Sequence, residues 1–485
     1  MSDWFLPPEE RPWTAGNLVV PHVHGADYFA RLLEVVEATQ AGDRIFFTDW
    51  RGDADERLTD DGPTIGDLLS SALRRGVEVR ALLWRSHPGS LNSEENNHLG
   101  AVINKAGGEA LLDERVRRGG SHHQKLVVVR RRGMPQEDVA FVGGIDLCHG
   151  RRDDADHGGD PQAPPLDPRY GPTPPWHDAM AEIRGPAVAH VLDTFAERWD
   201  DTTPLDHRNP YRAVVHRLAR MPRHPEPLPE RWDPPPPVGE HHVQILRTYP
   251  AKRPAYPFAP EGERSVARAY SRAFSRARRL IYIEDQYFWS DVVADTLAEA
   301  LRREPELQVI GVVPRYPEKD NRIGGPPMLY GQRAAWDLLR AAGGDRFALF
   351  DLENAEGEPV YVHAKVCVVD DSWMTIGSDN LNLRSWTHDS EVTCAVADPT
   401  GSLPRSLRTS LWAEHLGLRQ DEPRMSDPGG AMALWAEREG APGSRVRRHV
   451  PPTVSTVTRR WARPAYAALY DPDGRPRRLR GTTDF

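Results

Sequence analysis

Apolar residues recur along the first part of the chain in two alternating patterns. Residues 26–40 and 64–75 carry them at helical spacing, whereas residues 44–50 and 77–84 are short apolar runs of the kind found in strands. Alternation of helices and strands is typical of layered α/β structures, in which helices cover a mixed or parallel sheet. The pattern therefore predicts an α/β fold for this part of the chain.

The second part of the chain repeats the same alternation. The predicted strands cover residues 243–247, 280–284 and 307–313, and the predicted helices cover residues 262–278, 292–302, 329–342 and 403–416. Between the two parts lies a proline-rich stretch, which favours extended and semi-rigid geometry. We therefore predict four regions, which are a first half (1–221), a linker (222–238), a second half (239–419) and a basic extension (420–485).

A histidine and a lysine stand two positions apart in front of a short apolar run in each half. The pairs are His123 with Lys125 and His363 with Lys365. Side chains two apart on a strand share one face, so the members of each pair point the same way. A buried imidazole and ammonium are costly without partners or a charged ligand. One such pair alone is equally compatible with a satisfied core histidine, but the repetition favours a shared function.

The return strands and the corners that follow them are repeated as well. The corner residues are Gly143, Gly144 and Asp146 in the first half and Gly377, Ser378 and Asn380 in the second. A carboxylate later precedes an apolar strand in each half, at Asp178 and at Glu391. Two half-chains with the same series of groups indicate an internal duplication. We expect the two His–Lys pairs to face each other across one site.

At these residues the chain resembles the phospholipase D superfamily, whose members carry two His-x-Lys-x4-Asp motifs, each followed by a glycine-rich corner. The segments 122–125, 143–146, 281–288 and 382–385 are most similar to the branch that cleaves phospholipids. The resemblance implies an α/β fold of two similar α/β/α sandwich halves with mixed sheets and the active site at their interface. It also implies that Asp370 and the corner glycines are structural, and that no metal or cofactor takes part.

The first motif departs from the family pattern at one position. The family's aspartate would fall at position 130, where this chain has Arg130. In relatives that aspartate is mainly structural and lies near the hairpin turn. The hairpin is longer here, and we expect Asp138 to take its place.

The residue types suit cleavage of an anionic phosphodiester. The ammonium groups of Lys125 and Lys365 neutralise phosphate oxygens as charge develops in the transition state. Ser378 and Asn380 add neutral donors, whereas an ionised Asp146 only accepts and is expected to orient a lysine. One imidazole attacks phosphorus and the other protonates the leaving alcohol. Water or a second alcohol then resolves the phosphohistidine.

The resemblance implies roles for the two imidazoles, which sequence symmetry alone does not assign. It implies His123 as the nucleophile and His363 as the general acid. Asp178 and Glu391 are then the carboxylates that hold each imidazole in one tautomer and raise its basicity.

Composition limits the partners and the compartment. The net charge of −9 argues against broad binding to nucleic acid, which needs a basic footprint. Three cysteines without CxxC spacing argue against a zinc site, and with a start that lacks a signal pattern they predict a cytoplasmic protein. We expect a monomer, because both half-sites lie on one chain. As partners we expect phospholipid head groups and a membrane surface, with peripheral association.

Two further segments differ from the rest in composition. Residues 150–175 are rich in proline and glycine, and we favour a solvated loop over one that borders the site. Residues 445–485 hold ten arginines against three acidic residues. They could bind anionic lipid head groups, but we favour packing on the acidic body. The expected docking residues are Trp461, Tyr466, Leu469 and Tyr470.

Three functions are compatible with these residues. The first is a phospholipase D-type phosphodiesterase, which hydrolyses glycerophospholipids or transfers their phosphatidyl group and yields phosphatidic acid through a phosphohistidine. The second is a cardiolipin-synthase-like phosphatidyl transferase, against which the lack of apolar runs of membrane-spanning length weighs. The third is a nuclease, or an inactivated binding protein, against which the nearly complete set of site residues weighs. We favour the first.

Overall fold

The computed structural model describes residues 3–85, 93–203, 205, 224–318, 325–398, 400–480, 482 and 484–485. The described strands form two mixed sheets, and helices form layers against both faces of each sheet. None of the described helices combines the length and the apolar character that a membrane-crossing helix needs.

Seven described strands of the first half form one mixed sheet. The strands of this half are β1 (Trp13–Val23), β2 (Arg44–Asp49), β3 (Glu78–Trp84), β4 (Glu109–Asp113), β5 (Leu126–Arg130), β6 (Val139–Gly143), β7 (Trp176–His177) and β8 (Ala179–Arg184). Across the sheet the order is β4–β3–β2–β5–β6–β8–β1, in which β2, β3 and β4 are parallel and the other neighbours antiparallel. The short strand β7 pairs instead with a strand of the second half.

The second half repeats this order strand for strand. Its strands are β9 (His241–Tyr249), β10 (Glu263–Arg264), β11 (Leu280–Asp285), β12 (Gln308–Val312), β13 (Phe347–Glu353), β14 (Pro359–Val362), β15 (Lys365–Val369), β16 (Trp373–Gly377), β17 (Glu391–Ala397) and β18 (Val446–His449). The order is β13–β12–β11–β15–β16–β17–β9, again with three parallel strands followed by antiparallel ones. The shared order confirms the predicted fold class and internal duplication.

Strand β1 joins the two sheets. Its residues 18–23 pair with β8, and its residues 13–17 pair with β9. The register shifts between Thr14 and Asn17, where the strand changes partner. Asn17 Nδ2 donates to the carbonyl of Thr14 at 2.9 Å, so a side chain serves the backbone where the ladder is irregular. The two sheets are therefore continuous through one strand.

Most of the described helices fall into three layers. The described helices are α1 (Gly25–Glu37), α2 (Ile65–Arg74), α3 (Ser93–Lys105), α4 (Ala187–Trp199), α5 (Ser265–Arg276), α6 (Asp291–Arg303), α7 (Gly325–Gly343), α8 (Leu383–Thr387), α9 (Ser402–Leu416), α10 (Ala431–Arg438) and α11 (Thr456–Ala465). α1–α3 cover the outer face of the first sheet, and α5–α7 cover the outer face of the second. α4 and α9 lie in the core that the two inner faces share.

Because side chains alternate along a strand, the two faces of one sheet pack into two different cores. In β2, Phe46 faces the shared inner core, whereas Ile45 and Phe47 face the outer helices. All three side chains are buried, so the strand reads as a continuous apolar run.

The two hairpins that carry the motifs close differently. In the second, Asp370 accepts three backbone N–H groups at 2.7–2.9 Å from the segment that enters β11. In the first, Asp138 pairs with Arg130 Nε at 2.5 Å and accepts the N–H of Arg131 at 2.6 Å. An arginine at position 130 is thus accommodated by a buried carboxylate within the same hairpin.

The interpretation of residues 150–175 as a solvated loop is wrong. The buried polar residues of this segment include Arg151, Asp153, His157 and Asp160. Carboxylates accept the backbone N–H groups that a neighbouring strand would otherwise bind. Asp160 accepts the N–H of Gly150 at 2.8 Å, and Asp153 accepts the N–H of Trp176 at 2.7 Å. A segment rich in proline and glycine is therefore ordered by its acidic side chains.

The basic extension packs on the body only in part. Tyr466 is buried as expected, and its hydroxyl donates to the carbonyl of Trp289 at 2.7 Å. Trp461 and Leu469 are 45% and 67% exposed, so their predicted docking is wrong. The predicted domain boundaries stay predictions, and residues 206–223 around the first of them lie outside the described residues.

Candidate active site

Each motif histidine is placed by backbone pairing with the other half of the chain. His123 N–H donates to the carbonyl of Ser390 at 2.9 Å, in front of β17. His363 N–H donates to the carbonyl of His177 at 2.7 Å, in front of β8. The segments that carry the imidazoles of one half therefore run beside the segments that carry the carboxylates of the other.

This crossing pairs each imidazole with a carboxylate of the opposite half. His123 Nδ1 lies 2.9 Å from Glu391 Oε2, and His363 Nδ1 lies 2.6 Å from Asp178 Oδ2. A carboxylate accepts the Nδ1 proton, which leaves the Nε2 atom of each ring for chemistry. Neither carboxylate is exposed, and burial raises the pKa of Glu391 to about 8 and that of Asp178 above its ordinary value.

The motif lysines lie beside the same imidazoles. Lys125 Nζ donates to the carbonyl of His123 at 3.1 Å and lies 3.4 Å from Asp146 Oδ1. Lys365 Nζ donates to the carbonyl of His363 and, at 3.4 Å, to Gln286 Oε1. The contact between Lys125 and Asp146 is the one expected of a carboxylate that orients a lysine.

Burial and the lysine charges keep both imidazoles neutral in the free protein. Burial lowers the pKa of His123 well below its ordinary value, and the charges of Lys125 and Lys365 lower it further. Burial and the charge of Lys365 do the same to the pKa of His363, to which Lys125 also contributes. Both ammonium groups thus act on each ring.

Two buried aspartates beside the lysines were not identified from the sequence. Asp285 is the β-ladder partner of Lys365, and burial raises its pKa to about 7. Asp49 ends the equivalent strand β2, and burial together with the charge of Asp146 raises its pKa well above the ordinary value. Each also accepts the N–H of a corner residue, at 2.8 Å for Leu381 and 2.7 Å for Leu147. A matching signal was present, since both strands end in aspartate.

The second corner contains one residue whose contact differs from the expectation. Ser378 was expected to donate to phosphate, but its hydroxyl donates to Glu391 Oε2 at 2.6 Å. Ser378 therefore positions the carboxylate that holds His123. Asn380 is buried, and its Oδ1 has no hydrogen-bond partner within the described part of the chain. This oxygen is an acceptor, open to a donor of a ligand.

The glycine-rich corners allow the carboxylate strands to approach closely. A Cβ on Gly144 would lie 2.1 Å from Asp178 Oδ1, and a Cβ on Gly377 would lie 2.2 Å from Thr393 Oγ1. Gly143 is similarly confined, with the carbonyl of Ala179 at 2.5 Å from such an atom. A side chain at any of these positions would displace the strand behind it.

An arginine from the segment 150–175 also reaches the site. The Arg151 guanidinium is buried over the ring of Trp176, 3.9 Å from its centroid, and its Nε lies 3.9 Å from Asp146 Oδ2. Trp176 in turn packs against His363, with ring centroids 4.8 Å apart. Arg151 contributes a third positive charge to the site, and no counterpart of its position was visible in the repeat.

A groove of about 560 Å³ opens beside the second half of the site. Gln286, which accepts from Lys365, lines it together with Tyr287 and Tyr361. Its outer wall includes Met328 and Leu329 of α7. The groove therefore joins the polar site to an apolar surface.

Fold and site together define an enzyme that acts on phosphodiester bonds. Two lysines and an arginine lie beside two imidazoles, and a carboxylate holds each ring. These are the residue types that displacement at an anionic phosphodiester needs, as nucleophile, general acid and positive charge.

Comparison with known proteins agrees with this class. The family model described as phospholipase D matches residues 41–247, and the model described as cardiolipin synthase, PLD-like domain, matches residues 270–408. The chain belongs to the phospholipase D superfamily, with one matched region in each half.

The similar curated proteins are longer than this chain. Phospholipase D alpha 2 of Oryza sativa subsp. japonica is 27% identical over 528 residues, covering 78% of this chain and 62% of the relative. Phospholipase D alpha 1 of Ricinus communis is 27% identical over 553 residues, covering 86% of this chain and 66% of the relative. The chain thus spans just under two thirds of the length of these relatives.

A solved structure shares the fold over nearly the whole chain. The phosphatidylserine synthase of Haemophilus influenzae Rd KW20 superposes with a TM-score of 0.57 at 14% identity, and the match covers 96% of both chains. The similarity extends through both halves.

Proposed function

We propose that this protein is a phospholipase D-type hydrolase, which cleaves the distal phosphodiester bond of glycerophospholipids to phosphatidic acid and a free head-group alcohol. The observation that supports this function most is the crossed pairing of His123 with Glu391 and of His363 with Asp178. With each Nδ1 held by a carboxylate, one imidazole can attack phosphorus and the other can protonate the leaving oxygen on the opposite side.

In the first step His123 Nε2 attacks phosphorus and the bond from phosphorus to the head-group oxygen breaks. His363 gives its Nε2 proton to the departing alkoxide, so a neutral alcohol leaves. Lys125 and Lys365 stabilise the charge on the non-bridging oxygens, to which the Asn380 amide donates. The product is a phosphatidyl group on the imidazole of His123.

In the second step water gives a proton to His363 Nε2 and its oxygen attacks phosphorus. The phosphorus–nitrogen bond breaks, and phosphatidic acid leaves with His123 restored. A primary alcohol in place of water gives a phosphatidyl alcohol by the same movements. Glu391 stabilises the charge that His123 carries between the two steps.

The role of His363 as an acid requires a protonated ring. Burial and Lys365 lower the pKa of this ring in the free protein, so it is neutral there. A bound phosphodiester brings a negative charge that offsets the lysine charges, which raises the pKa of His363. His363 then takes up a proton from solvent, so substrate binding produces the general acid.

The most direct test is product analysis with phosphatidylcholine vesicles, in the presence and absence of ethanol. We expect phosphatidic acid without ethanol and phosphatidylethanol with it, both abolished in His123→Ala. His98→Ala removes an exposed histidine away from the site and serves as the matched control. Cleaved DNA with intact phospholipid in the same assay would replace this proposal with a nuclease.

A transferase reading of the same chemistry has one specific support, the cardiolipin synthase description of the family model that matches residues 270–408. In that case phosphatidylglycerol supplies the alcohol in the second step. Mixed vesicles that contain phosphatidylglycerol then yield cardiolipin in excess over phosphatidic acid. The ratio of the two products separates the functions.

The extension supplies a surface for the bilayer that carries the substrate. Its exposed apolar side chains are Val450, Val457, Trp461 and Leu469, and the exposed arginines of α11 are Arg459, Arg460 and Arg463. Val450 also lines the groove beside the site. Apolar side chains interleaved with arginines suit an anionic lipid surface. This surface places the groove at the membrane and leads to peripheral association.

Sedimentation with vesicles tests this surface in an inactive His123→Ala background. We expect the Trp461→Ala, Leu469→Ala double substitution to weaken binding to phosphatidylglycerol vesicles about tenfold, in keeping with lost apolar burial. Val20→Ala, at another exposed apolar position, is the control. Equal binding by both variants would remove the extension from membrane contact.

A further inference from the structure

A buried histidine cluster, which takes no part in the proposed reaction, lies where several elements of the two halves meet. We define it as His24, His157, His177 and Glu414. His24 lies between β1 and α1, His157 in the segment 150–175, His177 on β7 and Glu414 on α9. All three imidazoles are buried.

The nitrogen and oxygen atoms of the cluster converge on one point. His24 Nε2 lies 2.8 Å from Glu414 Oε2, and His157 Nε2 lies 3.1 Å from Glu414 Oε1. His177 Nδ1 lies 3.9 Å from the same Oε1 atom. One ligand atom from each of the four residues lies within 4.8 Å of the other three. Ligand atoms of a tetrahedral zinc ion stand about 3.3 Å apart, so the set has the right size.

The outer atoms of two rings are already committed to acceptors. His157 Nδ1 lies 3.1 Å from the carbonyl of Trp176, which can only accept, so this atom carries a proton, and zinc would bind at Nε2 in place of the proton that Nε2 donates to Glu414. His177 Nε2 lies 2.7 Å from Glu284 Oε2, so its Nδ1 presents the lone pair. Metal-bound histidines are oriented in this manner, by a carbonyl or carboxylate on the outer nitrogen.

One inner nitrogen of the cluster has no partner. His177 Nδ1 is buried and has no hydrogen-bond partner within the described part of the chain. His24 Nε2 and His157 Nε2 face oxygens of Glu414, which only accept when the carboxylate is ionised. A cation between the rings and Glu414 would replace the protons on these two atoms and bind the lone pair of His177 Nδ1. Arg445 Nη1 lies 3.7 Å from Glu414 Oε1, so this carboxylate also has a guanidinium beside it.

The backbone is held in an unusual conformation at two of these residues. Among the described non-glycine residues, positive φ occurs at His24 (76°) and His157 (57°), and otherwise at Asp370 and Asp371 of the β15–β16 turn. Such conformations are costly outside turns and persist where the surroundings require a side-chain position. Here both required side chains point at Glu414.

We propose that the histidine cluster is a structural zinc site, with three imidazole nitrogens and one carboxylate oxygen as ligands. A closed set of four ligands leaves no open position for substrate, which distinguishes a structural from a catalytic zinc site. The proposal differs from the expectation drawn from cysteine usage, because none of its ligands is a cysteine. It does not depend on the substrate proposed above.

The site would stabilise the catalytic arrangement from behind. His177 pairs through its backbone with β14 and the N–H of His363, and the next residue, Asp178, holds the His363 ring. Zinc at this point ties β7 to the first helix and to α9. It does not contact the reacting phosphorus, so the chemistry remains that of the two imidazoles.

Metal analysis of the full chain tests the site. Protein produced in zinc-supplemented medium is expected to retain about one zinc per chain after gel filtration, and His157→Ala less than about a tenth of that. His98→Ala, which removes an exposed histidine, is expected to keep the wild-type content. Zinc-edge X-ray absorption of the wild type is expected to show nitrogen and oxygen ligands at about 2.0–2.1 Å and no sulfur.

A second measurement uses only the wild-type chain, so that it does not depend on the folding of a variant. Protein stripped with a chelator is expected to gain Tm when micromolar zinc is added and to show no gain with magnesium, whose ligand preference is for oxygen. Wild type that holds under about a tenth of a zinc per chain and shows no rise in Tm would overturn the proposal. Neither the zinc content nor the Tm depends on phospholipase activity, so both measurements are independent of the proposed function.

Discussion

The two imidazole sites follow one plan but differ in the residues that support the carboxylate. Around His123 the carboxylate is the longer Glu391, and Ser378 donates to it at 2.6 Å. Around His363 it is the shorter Asp178, and the position equivalent to Ser378 is Gly144, where a Cβ would stand 2.1 Å from Asp178 Oδ1. The duplicated positions have therefore diverged in matched pairs, a longer acid with a hydroxyl and a shorter acid with a glycine.

The two lysines also differ in the side chain that each one contacts. Lys125 lies 3.4 Å from Asp146, whose pKa is lowered by that ammonium against the effect of burial, so the carboxylate is ionised. Lys365 faces the neutral amide of Gln286, and burial lowers its pKa to about 8. The second corner supplies no carboxylate to Lys365, and the carboxylates whose charges act on it most are Asp178 and Asp285.

Loss of either imidazole has the largest expected effect, and the leaving group distinguishes their roles. His123→Asn and His363→Asn should each lower kcat for phosphatidylcholine by about 10⁴-fold or more. With a p-nitrophenyl ester, whose leaving group needs no acid, His363→Asn should still show a burst of p-nitrophenol, whereas His123→Asn should not. Stopped-flow absorbance measures the burst. A burst from His123→Asn alone would exchange the two roles.

Neutralising the carboxylates comes next. Glu391→Gln and Asp178→Asn keep the shape but allow the amide to present the wrong group to Nδ1, so kcat should fall about 10²–10⁴-fold in each. Because the pairs cross between halves, Glu391→Gln should abolish the burst of the p-nitrophenyl ester and Asp178→Asn should retain it. Equal loss of the burst in both would break the pairing of each acid with one imidazole.

Exchange of the corner residues tests whether they diverged as pairs. Gly144→Ser places atoms against Asp178 and should lower kcat about 10²-fold with a fall in Tm, since the strand behind must move. Ser378→Gly should cost only about tenfold. It removes a donor that lowers the pKa of Glu391, so that pKa rises and the acid limb of the pH–kcat profile moves to higher pH. Thermal unfolding and pH profiles of both variants are the measurements.

The smallest expected effect comes from a substitution that gives Lys365 a carboxylate partner, as Lys125 has. Gln286→Glu places an anion beside Lys365, which favours the ammonium form and raises the lysine pKa from about 8. Activity that needs the ammonium is lost as pH rises through this pKa, so the basic limb should move up by about one pH unit. Gln308→Glu, on the distant strand β12, should leave the limb in place. If the basic limb does not move in Gln286→Glu, that limb reports the titration of a group other than Lys365.

The repeat in the sequence predicts which residues form the site, but not how they combine. His123, His363, Asp178 and Glu391 were found because each recurs at an equivalent place. Their crossed pairing depends on β7 and the segment before β17 reaching across to the other half, which is a property of packing between sheets. A one-dimensional repeat contains no information on that contact.

Residues without a visible counterpart were missed for physical reasons. Arg151 lies in a segment whose composition is that of a solvated loop, and only the hydrogen bonds of Asp153 and Asp160 show that it is folded inward. Asp49 and Asp285 were hidden because a carboxylate at a strand end is as typical of a loop as of a buried site. Ser378 was assigned to phosphate because its nearer acceptor, Glu391, is thirteen positions away along the chain.

Strand β1 has a mechanical consequence for how substrate enters. Its hydrogen bonds are divided between the two sheets, so any swing of one half away from the other would have to unzip that ladder from one side. Strand β1 therefore opposes relative motion of the two halves. The groove beside the site opens between α7 and Val450 of the basic extension, and under the proposed function this is the route for a phospholipid.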